Sequence, residues 1–149
     1  MDKSDKISAF EILQKGFEST SAEETMCFAS EFANELSDNA FLALHGNLGT
    51  GKTTFVKGLA KGLGVTQTVK SPSFSVYSLY GTNRGTLVHL DAYRLSGAED
   101  FDNLLLDEIV SGDKIVCVEW AEIVAESIPS DALHLYFSAD LTSHKIRLG

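Results

Sequence analysis

Residues 40–61 read AFLALHGNLGTGKTTFVKGLAK, and they combine three signals in one continuous segment. Ala40–Leu44 is entirely apolar, which is typical of a strand buried on both faces of a sheet. Lys52–Lys61 carries apolar residues at helical spacing, and the glycines that follow mark its end. A glycine-rich loop joins the two runs, so the segment predicts a strand, a loop and a helix in that order.

The loop, Gly46–Thr53, satisfies the pattern G-x-x-x-x-G-K-[ST] at every fixed position. Glycines allow such a loop to wrap closely around phosphate groups with its amide hydrogens pointing inward. In this pattern Lys52 bridges the β- and γ-phosphates and the Thr53 hydroxyl binds Mg²⁺. The following helix presents its positive end to the same phosphates. The motif therefore predicts a nucleotide-binding site.

Two later strand patterns each end in a carboxylate, which is the group that phosphoryl transfer needs to hold Mg²⁺. They are Leu87–Asp91 and Ile115–Glu119. In open α/β sheets ligands collect at the carboxyl ends of parallel strands, so both acids are candidates for the site. Sequence spacing leaves open which of the two faces the metal, and a surface acid that merely caps a strand or helix is the alternative for either.

Elsewhere the chain alternates between helical and strand patterns. A capping box at Ser21–Glu24 predicts a helix that runs to about Leu36. A second helix is predicted after Asp91, with one side formed by Phe101, Leu104, Leu105 and Ile109. The other predicted elements are strands over residues 74–80, 86–90, 114–118, 132–138 and 145–148, and a short helix over 120–127.

This alternation predicts an α/β protein with a mainly parallel central sheet and helices on both faces. The hairpin around residues 81–85 and the final strand pair predict some antiparallel strands as well. A length of 149 residues predicts a single domain that spans residues 1–149.

The composition limits the function classes. Twelve Lys and Arg against 21 Asp and Glu give a net charge of −9, which disfavours independent binding to DNA or RNA. The longest apolar run, Ala40–Leu44, has five residues, whereas a membrane span needs roughly 20. Cys27 and Cys117 show no metal-binding spacing, and we interpret both as buried small side chains in a reducing cytosol.

The absence of certain signature sequences limits which class of nucleotide-binding protein this chain can be. It contains no Asn-Lys pair and no Asp-x-x-Gly sequence, so a Ras-like GTPase is disfavoured and ATP is the expected nucleotide. A small-molecule kinase stays open, although its lid usually brings several arginines over the phosphate. The arginines here, Arg84, Arg94 and Arg147, are not clustered in sequence. A regulatory nucleotide-binding module without turnover is a further alternative.

Four motifs occur in order: GNLGTGKTTF (46–55), VKSPSF (69–74), HLDAYRL (89–95) and VEWAE (118–122). Together they resemble the TsaE (YjeE) family, the bacterial ATPases of tRNA threonylcarbamoyladenosine biosynthesis. The resemblance implies a P-loop NTPase fold, ATP and Mg²⁺ as cofactors, and a cytoplasmic location. It also implies work with TsaB and TsaD type proteins, which transfer the threonylcarbamoyl group. Contact with tRNA would be indirect only.

The resemblance also implies roles for individual residues. Asp91, Lys52 and Glu119 would be catalytic, with Asp91 near the γ-phosphate, and Thr53 with Glu119 would hold Mg²⁺. The nucleotide would contact Gly46, Asn47, Leu48, Gly49, Thr50, Gly51, Lys52, Thr53, Thr54 and Trp120. A switch-like loop would comprise Ser71, Pro72, Ser73 and Phe74.

Some predictions remain less specific. By composition alone the VKSPSF segment is equally an ordinary turn. A lone tryptophan is more often a packing residue, but the resemblance reverses that interpretation for Trp120. Thr20 and Thr25 are candidates for adenine recognition. The chain departs from the family's usual pattern at Ser73, where threonine is common, and at Ala121, where proline is common. Neither change removes a proposed ligand.

Overall fold

A computed structural model describes residues 7–72 and 76–149, and the strands within these ranges form one seven-stranded sheet. The strands are Phe17–Ser19 (β1), Ala40–His45 (β2), Tyr77–Thr82 (β3), Gly85–Asp91 (β4), Lys114–Glu119 (β5), Leu133–Ala139 (β6) and His144–Leu148 (β7). The helices are Ala9–Lys15 (α1), Ala22–Ala33 (α2), Lys52–Gly62 (α3), Ala98–Asp102 (α4) and Leu106–Ile109 (α5), with 3-10 helices at Ala92–Arg94 and Ala121–Ser127.

The strand order is β1-β7-β6-β2-β5-β4-β3. The central strands β6, β2, β5 and β4 pair in parallel, while β3, β7 and β1 pair antiparallel at the two sides. Strand β5 is buried along nearly its whole length, as expected for a strand with helices on both faces. The predicted α/β fold with a parallel centre and antiparallel additions is confirmed.

Each face of the sheet has its own apolar core. Leu42 and Leu44 of β2 lie in the core that α1, α2 and α3 cover. Ala43 points to the opposite face, into the core formed with α4, α5 and the two 3-10 helices. Alternate residues of one strand therefore serve both layers, which is the pattern that an all-apolar strand predicts.

Helices α2 and α3 approach each other closely at two glycines. A Cβ atom added to Gly58 would lie 2.6 Å from the Cα of Met26, and one added to Gly62 would lie 2.9 Å from the Cα of Ser30. Neither position has room for a side chain. Gly62 was expected only to mark the helix end, but its main consequence is this close packing.

The single helix predicted across residues 101–109 is wrong, because the structure has two short helices there. They are α4 and α5, separated at Leu105, whose φ is +53°. The left-handed residue reorients the chain, so Leu105 and Ile109 are exposed while Leu106 and Val110 are buried. The spacing of apolar residues alone cannot reveal such a break.

Helix α2 begins as predicted and ends earlier. The Ser21 hydroxyl accepts a hydrogen bond from the Glu24 amide at 3.1 Å, but the Glu24 carboxylate binds the Thr20 hydroxyl instead of an amide. After Ala33, the amides of residues 34–36 each donate to the carbonyl three residues earlier instead of four. The Arg84 guanidinium donates to the carbonyls of Ala33 and Leu36. The turn between β3 and β4 therefore caps the end of α2.

Several smaller predictions need correction. Helix α1 and strand β1 were not predicted, and residues 121–127 form a 3-10 helix. Cys27 is exposed, because it lies on the outer face of α2, whereas Cys117 is buried as predicted. Burial raises the pKa of the Cys117 thiol. The predicted start of the hairpin at residue 74 lies outside the described residues, and the hairpin strand begins at Tyr77.

None of the helices in the described ranges is both long enough and apolar enough to span a membrane.

The β6–β7 hairpin provides a test of pH dependence. The Asp140 carboxylate accepts hydrogen bonds from the amides of Thr142 and Ser143, and these bonds lower the pKa of Asp140 to about 2. A lowered folded-state pKa gives stabilisation above the ordinary value of 3.8, which is lost as the pH falls toward 2. We expect Asp140→Ala to lower Tm at neutral pH, with the difference from wild type disappearing between about pH 4 and pH 2.

Thermal unfolding followed by circular dichroism at several pH values measures this effect. Asp131→Ala, which removes an exposed acid in the turn before β6, is the matched control. A Tm difference for Asp140→Ala that persists unchanged at pH 2 would contradict the assignment.

Candidate functional site

The carboxyl ends of the parallel strands bring the predicted site together. Strand β2 leads into the loop 46–51, and α3 begins at Lys52. Leu44 of β2 pairs with Glu119 of β5, and Glu119 pairs with Asp91 of β4. This register places both predicted acids side by side, next to the loop.

Glycines determine the conformation of the loop. Gly46, Gly49 and Gly51 have φ values of +146°, +81° and +99°, which side-chain-bearing residues rarely adopt. A Cβ at Gly46 would also lie 2.6 Å from the Phe137 carbonyl oxygen of β6. The Thr50 hydroxyl donates to the Asn47 carbonyl at 2.7 Å and closes the turn. The fixed glycines of the motif are thus required by the backbone itself.

Lys52 is a buried cation, with 4% of its surface exposed. Its ammonium donates to the Gly46 carbonyl and lies 4.0 Å from the centre of the Trp120 ring. Burial lowers the pKa of Lys52, and the nearby carboxylates of Glu119, Glu122 and Asp91 act in the opposite direction. The positive charge is therefore held in a setting that is partly desolvated and surrounded by acids.

Glu119 is bound by two donors through a single oxygen. The Thr53 hydroxyl donates to Oε2 at 2.9 Å, and Nε2 of His89 lies 2.6 Å from the same oxygen. Glu119 is 4% exposed, so its carboxylate is almost entirely inside the protein. The contact to Thr53 links the acid at the end of β5 to the first turn of α3.

Asp91 occupies a different position. Its Oδ1 accepts a hydrogen bond from the Tyr93 amide at 2.9 Å and so caps the 3-10 helix Ala92–Arg94. It also lines the cavity beside the loop. Asp91 therefore both caps a helix and lines the cavity, so the two alternatives for this acid do not exclude each other.

Trp120 directly follows Glu119 and has a φ of +57°, an uncommon conformation for a bulky residue. Its ring lies under the Lys52 ammonium and 5.2 Å from the Tyr93 ring. Residues held in such strained conformations concentrate at functional sites. Trp120 lines the cavity, and its contact with a nucleotide stays a prediction.

The cavity beside the loop has a volume of about 270 Å³. It is lined by Leu48, Gly49, Gly51, Lys52, Thr53, Thr54, Ser71, Asp91, Glu119, Trp120 and His144. Most of the predicted contact residues thus share one cavity. A larger groove of about 550 Å³ lies over β1, β7 and β6, and none of the loop residues lines it.

The remaining predicted residues fall in different places. Ser71 lines the cavity and Pro72 is buried, while Ser73 and Phe74 lie outside the described residues. Thr25 is buried and its hydroxyl lies 2.6 Å from that of Ser19. Neither Thr25 nor Thr20 lines this cavity. Their suggested role in adenine recognition stays a prediction.

Two residues of the site were not predicted. His144 of β7 reaches the cavity because the β6–β7 hairpin folds back beside the loop. His89 lies two residues before Asp91 on β4, so strand alternation places both on the same face. From this spacing, the sequence could have predicted that His89 lies beside the acids of the site.

Comparison with known proteins supplies the family. The family model described as "Threonylcarbamoyl adenosine biosynthesis protein TsaE" matches residues 19–146, which run from the last residue of β1 into β7 and include every element between those two strands. The chain belongs to the TsaE family. The family that the four sequence motifs indicated is therefore confirmed. The protein is part of a family involved in tRNA threonylcarbamoyladenosine biosynthesis.

Similar proteins agree with this assignment. The TsaE protein of Aquifex aeolicus is 38% identical over 130 residues, which cover 86% of this chain and 90% of that protein. The TsaE protein of Treponema pallidum is 40% identical over 111 residues, covering 74% and 82% of the two chains. The crystal structure of YdiB from Bacillus subtilis matches with a TM-score of 0.74 and 33% identity, covering 89% of this chain and 82% of that one. The TsaE chain described here thus has the P-loop fold of that neighbour.

Proposed function

We propose that this TsaE-family protein binds ATP with Mg²⁺ and hydrolyses it in the cytoplasm, as a subunit of the tRNA-modification machinery. Its partners would be TsaB and TsaD type proteins, and its contact with tRNA would be indirect. One observation carries the nucleotide part of the proposal. The glycine loop, the buried Lys52, and the pair formed by Thr53 and Glu119 converge on one cavity with Asp91.

The chemistry of the cavity fits a polyphosphate. Lys52 supplies a buried positive charge, and the first turn of α3 adds the positive end of its helix dipole. The loop requires glycine at Gly46 because a side chain there would strike the backbone of β6. In a chain with net charge −9, this local environment is what would attract phosphate.

The donor set also fits a divalent cation. Mg²⁺ prefers oxygen ligands and keeps several waters, so it needs only one or two protein ligands beside the phosphates. The Thr53 hydroxyl and the Glu119 carboxylate supply oxygen atoms at one point of the cavity wall. These two residues would hold the ion, as the family resemblance implies.

Hydrolysis needs positioning and charge stabilisation more than covalent chemistry. Bound Mg²⁺ would neutralise charge on the phosphate oxygens. Lys52, which lines the same cavity, would bind phosphate oxygens. Asp91, whose Oδ1 is held by the Tyr93 amide, would orient the attacking water with its carboxylate and accept its proton.

Phosphate release from ATP tests this proposal, first with the purified protein and then with TsaB and TsaD type partners added. We expect slow Mg²⁺-dependent release from the protein alone and strong stimulation by the partners. Phosphorylation of a small metabolite without partners would instead support a kinase. Nucleotide binding without turnover under all conditions would support a regulatory module.

A further inference from the structure

We infer that His89 is a positioning residue: it holds the Glu119 carboxylate in the orientation that Mg²⁺ binding requires. This inference rests on the proposed function, since it concerns the metal side of the same site. His89 is fully buried on β4, one strand away from Glu119 on β5.

The geometry singles out one contact. Nε2 of His89 lies 2.6 Å from Oε2 of Glu119, and this oxygen also accepts from Thr53 at 2.9 Å. Because a carboxylate only accepts hydrogen bonds, Nε2 must carry the hydrogen. Both donors bind the same oxygen, which holds Oε2 in place and leaves Oε1 without either of them.

Apart from the contact with Glu119, the surroundings of His89 favour an apolar side chain. Within the part of the chain that the structure describes, its Nδ1 has no hydrogen-bond partner. The side chain lies on the same face as Leu87 and pairs across the strands with Cys117, both of which belong to the apolar core. An apolar residue of similar size would fill this position without leaving a buried nitrogen unbonded.

The consequence follows from the flexibility of a glutamate side chain. Thr53 alone would hold Glu119 through one hydrogen bond to a hydroxyl that is itself a proposed metal ligand. His89 adds a second donor from a neighbouring strand, which does not depend on the metal. Groups that orient metal-binding carboxylates typically contribute about 10- to 100-fold to metal affinity.

Two variants of His89 separate positioning from packing. His89→Leu keeps the volume and removes the donor, whereas His89→Gln can place an amide hydrogen near the position of Nε2. We measure ADP binding by calorimetry in EDTA and in Mg²⁺, and the Mg²⁺ concentration that gives half-maximal binding enhancement. His89→Leu should raise that concentration about tenfold and His89→Gln less than about threefold, with metal-free ADP affinity unchanged in both.

Cys117→Ala is the matched packing control, because it truncates the buried neighbour of His89 and leaves Glu119 in place. It should lower Tm without changing the Mg²⁺ requirement. Equal Mg²⁺ requirements in His89→Leu and wild type would overturn the inference. A similar loss in His89→Gln and His89→Leu would also overturn it, because a restored donor should restore the affinity.

A measurement on the wild type covers the case in which His89→Leu does not fold. Long-range ¹H–¹⁵N NMR should show a slowly exchanging Nε2 hydrogen on His89, still present when Mg²⁺ and ADP are added. Disappearance of this signal on addition would show that Glu119 leaves His89, which would overturn the inference. If the wild type binds no ADP at all, the proposed function fails instead, and the two failures are distinguishable.

Discussion

Replacing Glu119 with glutamine is expected to lower the rate of Mg²⁺-dependent ATP hydrolysis about a hundredfold or more. The amide keeps the shape of the side chain and an oxygen that can accept from Thr53 and His89, but it removes the negative charge that would bind the cation. Metal-free ADP binding should change by less than about threefold, because the loop and Lys52 would hold the phosphates.

Asp91→Asn is the informative comparison for this prediction. Asp91 pairs with Glu119 in the sheet, but its described hydrogen bond goes to the Tyr93 amide rather than to Thr53. We expect Asp91→Asn to lower turnover while it leaves the Mg²⁺ requirement for nucleotide binding near the wild-type value. Phosphate release and calorimetry on both variants separate the two roles. Unchanged turnover in Glu119→Gln would transfer the metal role to Asp91.

Gly58→Ala should destabilise the fold more than any exposed substitution of similar size. The added Cβ would lie 2.6 Å from the Met26 Cα, so α2 and α3 would have to separate or shift. Overpacking of this kind costs about 1–3 kcal/mol, and the clash is with rigid helix backbone, so we expect the upper part of that range. The gain in helix propensity from glycine to alanine, about 1 kcal/mol, offsets only part of it.

The expected result is a decrease in Tm of roughly 4–8 °C, since about 1 kcal/mol corresponds to 2–4 °C in a protein of this size. Thermal unfolding by calorimetry or circular dichroism measures it. Gly81→Ala is the control, because no atom of the described residues lies within 4 Å of a Cβ at that position in β3. A Gly58→Ala variant as stable as the wild type would show that the helices separate easily.

Local patterns predicted the elements that carry the phosphate loop. An all-apolar strand, a glycine loop with fixed spacing and a helix with apolar periodicity are short-range signals, and β2, the loop and α3 match them closely. The two acids at strand ends were also expected near each other, and both line one cavity, because parallel strands end at the same edge of a sheet.

The predictions failed at two helices, for different reasons. The first amides of α1 are capped by the Glu35 carboxylate, which lies after α2, but local signals were present as well: Ser8 and Glu11 have the spacing of a capping box, and Gly16 follows the last helical residue. The break at Leu105 exposes one leucine and buries its neighbour, although the leucine run 104–106 has no breaker residue. The helix over residues 9–15 was therefore predictable from the sequence, whereas the break at Leu105 was not, because no residue type in the run 104–106 marks it.

By itself, the sequence determined the glycine loop with its fixed motif positions, the residue types that follow the neighbouring strands, and the family to which the chain belongs. Only the tertiary structure decided which hydrogen-bond partners Asp91 and Glu119 each have. Strand register placed Glu119 against Thr53 and His89, and it placed Asp91 beside them on the cap of a 3-10 helix. Register arises from pairing between strands that are far apart in the chain, so no local pattern encodes it.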